Sequence, residues 1–202
     1  MFGVNFGKLG FLAETEISDF EKALQKLARH DFELEERSQL KASVVKNGRV
    51  TVQAHALNDM VVAKGHISKL AHLELKINGK HSGIYAADGL IVATATGSTA
   101  YSLSAGGPVV DPKIESILLT PICTHSLFAR SLIFGNDSVL SVKIPENTSD
   151  KIRISCDGDD SVELRPGDCV RVGKSKYYAD FIRIKNESFI DVLNSKLAQR
   201  RA

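Results

Sequence analysis

The sequence predicts an α+β chain: a short α/β segment, then a large, mainly antiparallel β domain, then a closing helix. Three observations carry that prediction. Apolar residues recur at extended helical spacing near the two ends of the chain. Between about residues 39 and 185 the dominant apolar period is two. Asn47-Gly48 and Asn78-Gly79 stand between alternating runs, where Asn-Gly is a strong signal for a two-residue hairpin turn.

The opening residues 1–6 (MFGVNF) are short and apolar and are followed by Gly7 and Gly10, the pattern of a buried strand leaving a sheet. Ser18 stands where a helix N-cap belongs, with Glu21 three residues on to complete a capping box. Phe20, Ala23, Leu24, Leu27 and Ala28 then form an apolar stripe, with Glu21, Lys22, Lys26 and Arg29 on the other side. After Arg37 the period changes. Val50, Val52 and Ala54 alternate with polar neighbours, as do Leu73, Leu75 and Ile77, then Leu140, Val142 and Ile144, then Ile152, Ile154 and Cys156. Arg165-Pro166-Gly167-Asp168 is a further turn. A helix is expected after Thr96-Gly97-Ser98-Thr99, over residues 100–105, stopped by Gly106-Gly107-Pro108. The last is expected over 188–201, on a stripe of Phe189, Val192, Leu193 and Leu197. The expected domains are therefore 1–38, the end of an α/β domain; 39–185, β-rich; and 186–202, helical. One strand and one helix cannot bury their apolar faces alone, so most of an N-terminal domain is expected to precede this segment.

Composition narrows the function. In 202 residues, 43% are hydrophobic and 25% charged, which is globular. Lys+Arg 26 against Asp+Glu 24 gives a net charge of +2, too balanced to point to nucleic acid or an anionic membrane surface. No run approaches the ~18 apolar residues of a membrane span, and the N-terminus lacks the pattern of a signal peptide. Cys123, Cys156 and Cys169 have no C-x-x-C spacing and are expected as buried thiols in a reduced compartment, which places the chain in the cytoplasm. The six histidines (His30, His55, His66, His72, His81 and His125) show no metal-ligand spacing, and no metal site is expected.

Three stretches could carry chemistry. Residues 3–11 are glycine-rich but match neither a dinucleotide fingerprint nor a P-loop: Leu9 follows Lys8 where Ser or Thr would hold magnesium. They form either a tight strand-to-loop turn or a backbone that approaches a ligand closely. Residues 88–107 read as an apolar strand, a loop of small hydroxyl residues and glycine, then a helix whose first N–H groups could meet a phosphate or carboxamide. Tyr101 there could lie against a base, while a capped helix packed under the sheet is the purely structural alternative. A serine-hydrolase elbow is excluded around Ser104, because Ser102 stands where G-x-S-x-G needs glycine. Asn58-Asp59 pairs an amide with a carboxylate, suited to the two hydroxyls of a ribose but equally common in a plain turn.

Taken in order, these segments resemble bacterial NAD kinases. Gly3-x-Asn5-x-Gly7-x-Leu9-Gly10-Phe11 is similar to that family's G-x-N-x-G-x-L-G-F, and Ala56-Leu57-Asn58-Asp59 to its A-L-N-E. Asp88-Gly89-Leu90-Ile91-Val92 followed by Thr96-Gly97-Ser98-Thr99-Ala100-Tyr101-Ser102-Leu103-Ser104-Ala105-Gly106-Gly107-Pro108 is nearly identical to its longest signature. Pro121-Ile122-Cys123-Thr124-His125 and Asp157-Gly158 resemble its P-I-C-P-H and D-G-Q.

The resemblance implies an N-terminal α/β nucleotide-binding domain, a β-rich C-terminal domain, and a last segment returning to the first. It implies phosphoryl transfer from ATP, or polyphosphate, to the 2′-hydroxyl of the adenosine ribose of NAD, with Mg2+ or another divalent cation. Asn58 and Asp59 would hold NAD, Asp88 its nicotinamide end, and Thr99, Ala100, Tyr101, Ser102, Leu103 and Ser104 the same pocket. Lys69 would face phosphate and Phe11 a ring. The family commonly forms homodimers or tetramers. Its general base is the aspartate of G-G-D-G-T, which these 202 residues do not contain, so that base is expected upstream of Met1 and no catalytic residue is expected in this chain. Asp59 replaces the usual Glu, and Asp159 the usual Gln. Two other readings compete: a non-catalytic NAD(P)-binding or oligomerisation module, and a lipid kinase sharing the G-G-D-G-T logic. The signature from Thr96 to Gly107 argues against the lipid kinase.

Overall fold

The structure, a computed structural model, describes residues 1–6, 11–65, 70–125, 130–148, 151–159, 161–185 and 187–199. Expectations resting on residues 7–10, His66, Lys69 and the end of the last helix fall outside them. In chain order the elements are β1 (Val4–Asn5), β2 (Thr15–Glu16), α1 (Phe20–Ala28), β3 (Glu33–Lys46), β4 (Arg49–Ala56), β5 (Asp59–Lys64), β6 (Ala71–Ile77), β7 (Lys80–Ala87), β8 (Gly89–Thr94), α2 (Tyr101–Ser104), β9 (Ser116–Ile122), β10 (Leu132–Gly135), β11 (Leu140–Lys143), β12 (Ile152–Cys156), β13 (Val162–Leu164), β14 (Cys169–Arg183) and α3 (Phe189–Gln199). Contacts divide the chain into Met1–Arg37 with Tyr178–Ala202, and Ser38–Tyr177.

The larger unit is built from two six-stranded sheets, ordered β4-β3-β14-β11-β6-β7 and β10-β9-β8-β5-β12-β13. Alternation dictates one core face per strand: Leu73, Leu75, Leu140, Val142, Val170 and Val172 from the first sheet meet Met60, Val62, Leu90, Val92, Leu119 and Ile154 from the second. The central strands of the second sheet also bury their other face. Val61, Ile91, Ala93 and Leu118 pack with Ala95 and Val110, so β5, β8 and β9 read as continuous apolar runs rather than alternating ones. Both Asn-Gly pairs make the expected hairpins, with positive φ at Asn47 (48°), Gly48 (76°), Asn78 (50°) and Gly79 (79°). A Cβ at Gly79 would meet nothing within 4 Å, so Gly79→Ala isolates backbone strain. It is expected to lower the unfolding free energy by about 1–2 kcal/mol, read by denaturant titration.

In the smaller unit β1 pairs in parallel with β2. Glu14 joins its segments: Oε1 accepts the Ile184 and Lys185 N–H groups and Oε2 meets Arg183, which also pairs with Glu35 at 3.2 Å. Three expectations are corrected here and in the larger unit. Residues 1–6 are not a buried strand: Phe6 is 82% exposed and only Val4–Asn5 are in strand conformation, with Met1 bonded to the Ile182 backbone. The Ser18–Glu21 capping box does not form, because Ser18 lies inside a 3-10 turn (Ile17–Asp19) and the α1 cap carries no side-chain hydrogen bond. Of the α1 stripe only Ala23 is buried, as expected where a two-stranded sheet is too small to cover the rest. The cysteines are not buried: Cys123 is exposed and Cys156 and Cys169 are half-buried near strand ends. A reciprocal cap forms instead at α3, where the Ser188 hydroxyl and Asp191 carboxylate bond at 2.6 Å and the Asp191 N–H returns to Ser188 Oγ. No helix among the described residues is long and apolar enough to cross a membrane.

Candidate functional site

The turn at residues 57–59 leads into β5 and is held from both sides. Asp157 follows β12 in a tight Asp-Gly turn, with φ of 49° at Asp157 and 81° at Gly158. That conformation turns its carboxylate onto three consecutive backbone donors: Leu57 N–H reaches Oδ2 at 2.6 Å, and Asn58 and Asp59 N–H reach Oδ1 at 2.8 and 2.9 Å. The Asp157 N–H returns to the Asp59 carbonyl at 2.9 Å. On the carbonyl side the Thr94 hydroxyl donates to Leu57 O at 2.6 Å, and the Thr94 N–H to Asn58 O at 2.9 Å. Among the described residues, the hydrogen bonds found on Asn58 use its backbone.

The hydroxyl-rich segment packs directly on this turn. Thr96–Thr99 is a 3-10 turn and α2 a single helical turn, shorter than the expected helix over 100–105. The Tyr101 backbone at its N-terminus lies near enough to the Asp59 carboxyl to favour its ionised form. A Cβ at Gly97 would lie 2.0 Å from the Asn58 carbonyl oxygen, so only glycine allows this approach. The Ser98 hydroxyl binds Val110 through both its carbonyl and N–H. Ser102 is fully buried, its hydroxyl 2.8 Å from that of Thr120. Thr99 is buried, with its hydroxyl on Thr96 O. Ala100 and Leu103 are half-buried, whereas Ser104 and Tyr101 (45%) face outward.

Asp59 is 5% exposed, and burial pushes its carboxyl up to about 6. The nearby Asp157 charge adds to that rise, and the Tyr101 N–H opposes it. Burial, with Asp157, Asp159 and Asp59 nearby, likewise pushes the Cys156 thiol up to about 11, so it is no nucleophile at neutral pH.

The structure thus brings Gly97 against Asn58 and Tyr101 near Asp59, with the rest of Thr99 to Ser104 following in the same segment. It does not bring Asp88 to them. The register Asp59↔Ala93 and Ala63↔Gly89 puts Asp88 at the opposite end of β8, roughly 15–20 Å along the strand, paired with Lys64 at 2.7 Å. Phe11 belongs to the smaller unit, and Lys69 lies outside the described residues. Reasoning from sequence missed the parts played by Thr94 and Asp157. Asp157-Gly158 signals a turn, but nothing local says that the carboxylate reaches residues almost a hundred positions away.

A turn presenting an amide and a carboxylate is thus seated against a Thr-Gly-Ser-Thr segment at the end of a buried strand. The chain belongs to the NAD kinase family: residues 57–184 match the family model described as the ATP-NAD kinase C-terminal domain. It is 41% identical over 200 residues to the NAD kinase of Acetivibrio thermocellus, covering 99% of this chain and 69% of that protein. It is 42% identical over 200 residues to that of Thermoanaerobacter sp. (strain X514), covering 99% and 70%. The fold superposes on the crystal structure of yeast NADH kinase complexed with NADH with a TM-score of 0.89 and 31% identity, over 98% of this chain but 58% of that one. An NAD kinase from Archaeoglobus fulgidus in complex with ATP gives a TM-score of 0.81 and 29% identity, over 98% and 73%.

Proposed function

We propose that this chain supplies the NAD-binding part of an NAD kinase, in which the γ-phosphoryl group of ATP passes to the 2′-hydroxyl of the adenosine ribose of NAD, giving NADP and ADP. The observation that carries this reading is the 57–59 turn, whose backbone is tied on both sides while the Asn58 carboxamide is left to meet a ribose diol. Asp59 stands behind it, an acceptor for a hydroxyl hydrogen when ionised, and Tyr101 offers an exposed ring at the same edge. Thr99, Ala100, Leu103 and Ser104 shape the pocket, and Ser102 anchors it through Thr120. Phosphoryl transfer depends mostly on positioning and charge neutralisation, so a rigid ribose seat is the contribution expected of this part. The proton of the attacking hydroxyl goes to a general base, which the resemblance assigns to the G-G-D-G-T aspartate.

The resemblance alone assigns Asp88 to the nicotinamide end, Lys69 to phosphate and Phe11 to a ring. It also supplies the homodimer or tetramer, the cytoplasmic setting and the choice between ATP and polyphosphate. Among the described residues no group of three or more His, Cys, Asp or Glu side chains could hold a metal ion, so a resident cation does not fit them. The divalent cation would arrive with the phosphates of ATP, and no step here is routed through it.

Asn58→Ala tests the reading. It leaves every backbone bond of the turn in place, so in the full-length gene product it should raise KM for NAD about 10- to 100-fold with little change in Tm. An unchanged KM would remove Asn58 from the site. NAD binding by the unsubstituted protein without NADP formation would favour the non-catalytic module.

A further inference from the structure

We propose that Thr94 and Asp157 are positioning residues of this site, a two-sided clamp that fixes the backbone at 57–59 and so aims the Asn58 carboxamide. The inference rests on the reading that Asn58 holds NAD, and it adds two residues that would themselves touch no substrate.

A turn that presents a side chain to a ligand is useful only if its own peptide groups are satisfied and still. Here the donors and acceptors are divided between two strand ends. Asp157, at the end of β12, takes all three N–H groups from Leu57 to Asp59. Thr94, at the end of β8, takes the carbonyls of Leu57 and Asn58 through its hydroxyl and N–H. The same hydroxyl accepts the Gly97 N–H at 3.0 Å, which ties the segment bearing Tyr101 to the turn. One threonine therefore holds both halves of the proposed pocket. β12 and β8 flank β5 on opposite sides, so the two arms pull from opposite directions. A carboxylate accepts several N–H groups at once, and the left-handed backbone at Asp157 is one that Asp tolerates better than most residues.

The test uses the full-length gene product with Thr94→Val, which keeps the shape and removes the hydroxyl; Thr94→Ser, which restores it; and Asp157→Asn, which keeps one acceptor oxygen. Asn58→Ala is the reference for the site itself. Steady-state NADP formation and titration of NAD are measured together with Tm. Thr94→Val and Asp157→Asn should each raise KM for NAD about tenfold while kcat and KM for ATP change less than about threefold, and Thr94→Ser should return KM to near its original value. Asp157→Asn should also move the acid limb of the NAD-binding pH profile downward, because it removes one of the charges facing Asp59; of the other groups beside that carboxyl, the Tyr101 N–H does not titrate and Cys156 titrates only near 11. A purely structural role would lower Tm without this KM-specific pattern or pH shift. If Asn58→Ala weakens NAD binding while both clamp variants stay within twofold of the original KM, the clamp is wrong and the site stands. If Asn58→Ala leaves NAD binding untouched, the site reading fails and the clamp fails with it.

Discussion

Gly97→Ala is expected to lower the unfolding free energy by about 3 kcal/mol or more and to abolish NAD binding in whatever folded fraction remains. The added methyl would sit 2.0 Å from the Asn58 carbonyl oxygen, 2.4 Å from its carbonyl carbon and 2.7 Å from its Cα. These are backbone atoms with no rotamer to change. They are also pinned, since Thr94 and Asp157 hold the same peptide groups that would have to withdraw. The strain therefore falls either on the buried 3-10 turn, whose Thr96, Ser98 and Thr99 have no space behind them, or on the turn that presents Asn58. Urea titration followed by circular dichroism measures the first effect and NAD titration of the refolded protein the second. A variant with unchanged midpoint and affinity would show that the two segments do not touch in solution.

Asp59→Asn should separate stability from function. The Asp59 carboxyl is pushed up from 3.8 to about 6, so the folded chain binds this proton more tightly than the unfolded chain does. Its contribution to stability is greatest below pH 3.8, declines as pH rises toward 6, and above that leaves a buried charge facing Asp157 that disfavours folding. At about 1.4 kcal/mol per unit the difference is at most about 3 kcal/mol. Asparagine keeps an acceptor for the Tyr101 N–H and carries no charge, so the variant should be up to about 3 kcal/mol more stable at pH 8 and gain nothing at pH 4. In the same protein NAD should bind at least about tenfold more weakly at pH 8, because the ionised acceptor is lost. A destabilised variant, or one that binds NAD normally, contradicts this account of Asp59.

What the sequence disclosed was local or periodic. Asn47-Gly48 and Asn78-Gly79 set their hairpins through their own backbone preferences, and the alternation of β6, β11 and β12 fixed which faces form the core. Asn58-Asp59 and the segment from Thr96 to Gly107 were legible as one site through resemblance, and the structure places them against each other. Contacts between distant residues were not legible. The capping-box pattern occurs at Ser18 and at Ser188, and only the second forms, because the chain at Ser18 enters a 3-10 turn first. Burial of Cys123 was expected from residue type, yet it sits with φ of 45° in an exposed turn beyond β9. Thr94 and Asp157 look like a strand end and a turn. Their roles exist only because β5 lies between β8 and β12.

Titration of NAD into the full-length gene product and its Asn58→Ala variant, by calorimetry at pH 8, tests the central claim most directly. The account predicts one saturable site per chain in the unsubstituted protein and a loss of affinity of about tenfold or more in the variant, with the same Tm. Equal affinities in the two proteins would contradict it, and so would no binding by the unsubstituted protein.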